Sequence, residues 1–276
     1  MERTQSGQIL LISLLVLSVA TTIALSLIGR TATDVNISNE VEESARALAA
    51  AEAGVEQALQ SGLGSGGAQV LSPNVTYDTT LTNIGLAAGP YLFPQKTARD
   101  NTEVLWLTSH DSSGNIVETP TYVATTIELC WSTEATTPAV EVTIPYKKAS
   151  DGSYRVARGA FDPVSSRTTT NKFTLVAGAG ANCGQSEFYK ATLDFTTLGI
   201  TPAQDTLLAL HIKPIYSAAQ LGVNPGSNVL PIQGNRIDST GSLATGITRR
   251  VVVLQSYRTT QGIFDAVVFS QSSFGH

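Results

Sequence analysis

Three histidines and two cysteines are the first places to look for chemistry in this 276-residue chain. His110, His211 and His276 are far apart, and none lies four residues from another, so no helical zinc pair exists. His110 falls in a turn beside Asp111, His211 in a strand pattern (ALHIKP), and His276 is the last residue. Cys130 and Cys183 form no C-x-x-C pair, which argues against a zinc or thioredoxin-type site. In an exported domain a disulfide between them is permitted; two separate buried thiols fit the sequence equally well. No G-x-S-x-G nucleophile elbow occurs, and Gly178-Ala179-Gly180 lacks the lysine and hydroxyl of a phosphate-binding loop. Asp111, Ser113, Asn115 and Glu118 offer oxygens as a calcium loop would, but without its spacing, and a plain turn is the simpler reading. The sequence therefore predicts no catalytic residues, no metal and no cofactor.

Charge and composition narrow the partners. The net charge is -5 and the longest basic runs are Lys147-Lys148 and Arg249-Arg250, so no phosphate-backbone contact is expected. Charged residues make up only 14%, against roughly 25% in ordinary soluble domains. Threonine, serine and asparagine supply the polarity instead, a composition suited to half-buried strands and turns. Trp106, Trp131, Tyr122, Tyr146 and Tyr154 could line a carbohydrate-binding or adhesive face, although aromatics on strands more commonly fill cores.

The elements that would carry any such surface begin with a helix. Residues 8–29 hold no charge. At about 1.5 Å per residue they make about 33 Å of helix, enough to cross a bilayer and longer than a secretory signal core. Residues 30–60 continue in alanine, glutamate and leucine, without proline and with no glycine before Gly54. Val41, Ala45, Leu48, Ala51, Val55 and Leu59 recur at spacings of three and four, so one face of this second half is expected to pack under a sheet. The glycine-rich run after Ser61 ends the helix. Arg3 and the amino terminus precede the span, and Arg30, Asp34 and a glutamate cluster follow it; by the positive-inside rule the short leader is expected in the cytoplasm and the rest outside.

A leader ending in Gly7, an uncharged helix straight after it and the closing stretch Ala49–Leu59 (AAAEAGVEQAL) resemble type IV pilins, in particular the PilX-type minor pilins. The resemblance covers about the first 60 residues and is weaker over residues 230–269. It implies cleavage between Gly7 and Gln8 by a prepilin peptidase. It also implies anchoring in the inner membrane lipid, and later packing with other pilin subunits in a surface filament built by an assembly platform. The family usually carries an aromatic residue where this chain has Gln8 and a glutamate where it has Ile12. Those departures point to a minor or tip subunit. The alternatives are a type II secretion pseudopilin and a static single-pass anchor for a β-rich binding domain.

Beyond residue 70 the pattern is β. Alternating runs appear at Asn74–Leu81, Glu103–Thr108, Thr126–Trp131, Val140–Ile144, Phe188–Phe195, Leu207–Ile212, Val251–Gln255 and Asp265–Phe269, separated by glycine, serine and asparagine turns. The expected fold class is α+β: a long N-terminal helix, transmembrane then amphipathic, on antiparallel sheet, with an inserted β-sandwich-like module. The expected division is leader 1–7, transmembrane helix 8–29, amphipathic half 30–60, a head from 61–98 and 206–276, and an inserted module at 99–205.

Overall fold

The computed structural model describes residues 6–259 except residue 87. Arg3, the expected strand Asp265–Phe269 and His276 therefore lie outside the described residues. The first helix, α1, runs unbroken over Ser6–Ser61, about 84 Å at 1.5 Å per residue. It stops where Gly62 takes a positive φ of 69° and donates its N–H to the Ala58 carbonyl at 2.9 Å, as glycine-capped helices do.

The strands follow in order: β1 (Gln69–Ser72), β2 (Val75–Ile84), β3 (Tyr91–Leu92), β4 (Glu103–Trp106), β5 (Thr126–Ser132), β6 (Ala139–Lys147) and β7 (Tyr154–Asp162). A short helix α2 (Ser165–Asn171) precedes β8 (Thr174–Leu175), β9 (Gly180–Asn182), β10 (Gln185–Asp194), β11 (Thr206–Leu207) and β12 (Ala209–Ile215). The last three are β13 (Leu221–Asn224), β14 (Gly234–Leu243) and β15 (Thr248–Ser256). They form three sheets, ordered β1-β2-β14-β15, β3-β13-β5-β10-β9 and β4-β12-β6-β7-β8. In the second and third sheets the ladders are antiparallel apart from β7–β8, which is parallel, and β1 pairs β2 antiparallel. The chain is thus α+β, with a long apolar N-terminal helix and a β-rich remainder.

Two units divide the chain. The first reaches Leu81 and takes in Ile237–Val253; the second comprises Thr82–Arg236 and resumes at Leu254. Residues 82–98 and 206–236, expected with the head, fall in the second unit.

In the first unit, α1 lies on its sheet through small residues. Ala47, Ala50, Ala51, Val55 and Ala58 are buried, against Val75 and Leu243 at one end and Ile237 at the other. The approach is close enough that a Cβ on Gly241 would stand 2.0 Å from the Ala47 carbonyl oxygen, and one on Gly54 would stand 2.3 Å from Ser239 Oγ. Between them Thr79 donates its hydroxyl to Ser239 Oγ at 2.8 Å, so the polar pair inside this contact is satisfied.

That contact corrects the expected packing stripe. Of its six residues only Ala51 and Val55 are buried. Val41, Ala45, Leu48 and Leu59 are exposed, with Val41 at 63%, Leu48 at 40% and Leu59 at 46%. Apolar periodicity located an apolar stripe, but the sheet selected the neighbouring face, whose alanines and glycine let two backbones meet. β14 escaped the alternation test for the same reason, since its inward positions include Ser239 and Gly241 rather than bulky apolar residues. β7 was also unread; its exposed Tyr154, Val156 and Arg158 sit on one side and Ala157, Gly159 and Phe161 on the other, which blurs the alternation.

The second unit has one large core. Ile127, Leu129 and Trp131 of β5, Ala191 and Leu193 of β10, and Leu221 and Val223 of β13 pack with Val140, Val142 and Ile144 of β6 and Leu210 and Ile212 of β12. Side chains from two different sheets therefore share a single interior, each strand contributing alternate residues.

Candidate functional site

Over residues 9–28 α1 is apolar all round, and its large hydrophobic side chains stay between 49% (Val19) and 70% (Leu10) exposed. Ile12, in the position the resemblance gives to a glutamate, is 55% exposed. Most hydroxyls in this stretch turn inward to the helix backbone: Ser13 donates to the Leu10 carbonyl at 2.9 Å, Ser18 to Leu15 at 2.8 Å and Thr22 to Val19 at 2.8 Å. Hydroxyls bonded to their own helix backbone suit a hydrocarbon environment. It is the one helix among the described residues long and apolar enough to cross a membrane. Gly7 and Gln8 lie in its first turns.

The exposed stripe of Val41, Ala45, Leu48 and Leu59 continues this unpartnered apolar surface into the first unit. On the same half of the helix Arg249 donates to Ser44 Oγ at 2.7 Å and Thr245 to Glu43 at 3.1 Å, while Tyr77 donates its hydroxyl to Gln57 at 2.8 Å. The buried face is thus pinned at both ends by polar contacts, and the apolar stripe beside it is left free of them.

Cys130 and Cys183 are joined in a disulfide, with Cα atoms 6.2 Å apart. They sit on the far side of β5 from the main core, packed with Phe188 and Leu92. The bond ties the centre of one sheet to the β9–β10 turn, closing a loop of 53 residues.

The remaining sequence candidates resolve into structural roles. Asp111 accepts from the N–H groups of Ser113 and Asn115, both at 2.9 Å, and from the Asn115 side chain at 3.1 Å. The loop's own N–H donors thus occupy the oxygens a calcium ion would need, and they hold the Asp111 carboxyl below its ordinary pKa. Among the described residues no group of three or more His, Cys, Asp or Glu side chains is placed to hold a metal. Trp131, Tyr122, Tyr146 and Trp106 are buried, so they cannot form an adhesive face. Tyr154 alone of those five is exposed, and it hydrogen-bonds Glu118 beside Lys147. His211 lies half-buried in β12.

Two polar clusters had no sequence signature. Asp162, fully buried, accepts from Arg167 at 2.7 Å, from the Asn171 side chain at 2.9 Å and from the Val164 N–H at 2.9 Å. Arg167 also stacks over Tyr216, whose φ is 72°. Asp205, 1% exposed, accepts from Lys148 Nζ at 2.8 Å and from the N–H groups of Ala149 and Thr201. The partners are separated by up to 57 positions, and only a settled topology brings them together. The alanine face of α1 did carry a signal in the spacing Ala47, Ala51, Gly54, Ala58, which allows close backbone approach.

No family model matches this chain, and neither a curated protein nor a solved structure does.

Proposed function

We propose that the chain is a structural subunit of a type IV pilus-like surface filament, in a minor or tip role. It would be held in the inner membrane by the first half of α1 before assembly, with both β-rich units outside the cytoplasm. The observation that carries this reading is the division of labour around α1. Its alanine face is consumed by its own sheet, while a second apolar face, Val41 to Leu59, remains exposed and runs on from a span that is exposed all round. A helix serving only as a tether has no need of the second face. A helix that leaves the bilayer to pack beside others like it needs an apolar surface along its whole length.

In this reading a prepilin peptidase cuts between Gly7 and Gln8, an assembly platform extracts the subunit, and the stalks of neighbouring pilins cover the exposed stripe. Ile12 supplies no carboxylate to a neighbour's amino terminus, which favours a place where that pairing is not required. The first unit is the pilin-type head, and the second, its two sheets facing each other across one core, is a β-sandwich-like module displayed by it. The net charge of -5 and the absence from the sequence of any Lys/Arg run longer than two speak against nucleic acid as what that module meets.

Mass spectrometry of the mature N-terminus tests this, on protein from membranes and from material sheared off the cell surface. A chain beginning at Gln8 in the sheared fraction is expected. A chain beginning at Met1 and confined to membranes would overturn the filament reading and leave an anchored β-rich protein.

A further inference from the structure

Near the end of β15 three aromatic rings meet within the second unit. Trp106 closes β4, and its backbone is fixed by the Gln233 side chain, which accepts from the Trp106 N–H at 2.8 Å and donates to its carbonyl at 2.9 Å. His110 stands at the neck of a small hairpin, bridged to Ile116 and locked by the Asp111 turn. Its ring meets Trp106 edge-on at 4.6 Å and lies flat against Tyr257 at 3.8 Å with an 11° interplanar angle. Trp106 is 9% exposed. Its Nε1 and the His110 Nδ1 are buried and, among the described residues, have no hydrogen-bond partner. Tyr257 is one residue beyond β15, and the residues before it, Leu254 to Ser256, are exposed. Tyr257 is half-buried, so its ring contact with His110 is the covered part of an otherwise open strand end.

We infer that this stack is a pH-dependent latch within the second unit: neutral His110 holds Tyr257, and with it residues 254–256, in place against Trp106 and its hairpin, and protonated His110 releases them. The asymmetry is chemical. A neutral imidazole can leave Nδ1 as an unpaired acceptor at modest cost. An imidazolium carries a proton and positive charge on that same buried nitrogen, which has no acceptor among the described residues. Among the described residues the titratable groups facing it are Asp111 on its own turn and Tyr257 on the strand end. Asp111 would favour the charged form, but its oxygens are committed to Ser113 and Asn115. Burial outweighs it and sets His110 below its ordinary 6.5.

The sign follows from linkage. The closed latch binds the proton more weakly than the open one. Closure is therefore complete above pH 6.5 and is lost as pH falls below it, with the opening constant rising by at most about tenfold per pH unit for one proton.

The full chain in detergent micelles allows a direct test. NMR titration of the histidine Cε1–H signals is expected to show His110, identified by its loss in His110→Phe, titrating below 6.5, and Tyr257→Leu is expected to bring it up toward 6.5. Hydrogen exchange over 254–257, corrected for intrinsic rate, is expected to quicken below pH 6.5 in the wild type and to stay flat in His110→Phe, whose ring stacks but cannot titrate. A His110 pKa at or above 6.5, a pKa unmoved by Tyr257→Leu, or equal pH slopes in wild type and His110→Phe would each overturn the latch.

Discussion

Gly241→Ala puts the close contact between α1 and β14 under direct stress. The added methyl carbon would stand 2.0 Å from the Ala47 carbonyl oxygen and 2.7 Å from the Ala51 nitrogen. Both are helix backbone, so no rotamer change relieves the clash and the strand must withdraw by roughly 1.4 Å to reach an ordinary contact of about 3.4 Å. A radial gap of that size forfeits at least a quarter to a half of the dispersion energy of the atoms facing each other across it. Overpacking of this kind costs about 1–3 kcal/mol, and the unyielding neighbours place this site at the upper end. Replacing glycine in a strand returns about 0.5–1 kcal/mol of backbone entropy. The net expectation is a loss of about 2 kcal/mol, which is a rise of roughly thirtyfold in opening. Hydrogen exchange over 75–81 and 237–243 reads that opening in the first unit, where neither tryptophan reports. Gly29→Ala, on the open surface of the same helix with nothing within 4 Å, is the matched control and is expected to leave those amides unchanged. Equal or slower exchange in Gly241→Ala would show that the helix and sheet are not in backbone contact, and the account of why alanines line that face would fail.

Other parts of the molecule make separate demands. Cys130→Ala with Cys183→Ala reopens a 53-residue loop; chain entropy sets the loss at up to about 4 kcal/mol, to be measured by urea unfolding followed through Trp131 fluorescence, with and without reductant on the wild type. Burial alone would raise the Asp205 pKa, but the Ala149 N–H, Lys148 and the Thr201 N–H together hold it below its ordinary value. The stability it confers is therefore present above the unfolded-state pKa of about 3.9 and lost as pH falls below it; Asp205→Asn is expected to be less stable at neutral pH and to show a shallower acid limb in pH-dependent unfolding. Val16→Asp sets a carboxylate in the middle of the apolar span, where a charge costs about 2.5–3.5 kcal/mol or more, and alkaline extraction of membranes is expected to release more of that variant than of the wild type. Leu48→Asp, on the exposed stripe, is expected to leave unfolding of the first unit within about 0.5 kcal/mol of wild type while reducing recovery in sheared surface material.

Legibility in the sequence tracked locality. The helix was readable end to end because its signals are local: an uncharged run, good helix formers and a glycine cap. Strands with apolar alternation, such as β5 and β6, were readable for the same reason. β14 was not, because what faces its inner side is helix backbone, and that environment selects Ser239 and Gly241 instead of valine and leucine. The Asp162 and Asp205 clusters depend on partners brought together by topology, and no spacing announces them. Trp106 and Trp131 illustrate the limit for sites: residue type leaves both a surface and a core open, the core being the commoner case, and burial places both in the interior.

The two faces of α1 are connected by geometry. A helix packed through leucines stands farther from its sheet, since the separation of packed elements follows the size of the side chains between them, and side chains flanking the contact can fold into the gap. Packed through alanine and glycine it comes closer, the gap closes, and bulky residues next to the contact are pushed out beside the sheet. Leu48 borders the buried pair Ala47 and Ala51, and Leu59 borders buried Ala58, yet both leucines remain more than a third exposed. The small residues that bring the sheet close are thus the cause of the free apolar stripe. Enlarging the contact face would be expected to draw that stripe inward, so packing inside one subunit and the surface offered to the next are set by the same few alanines.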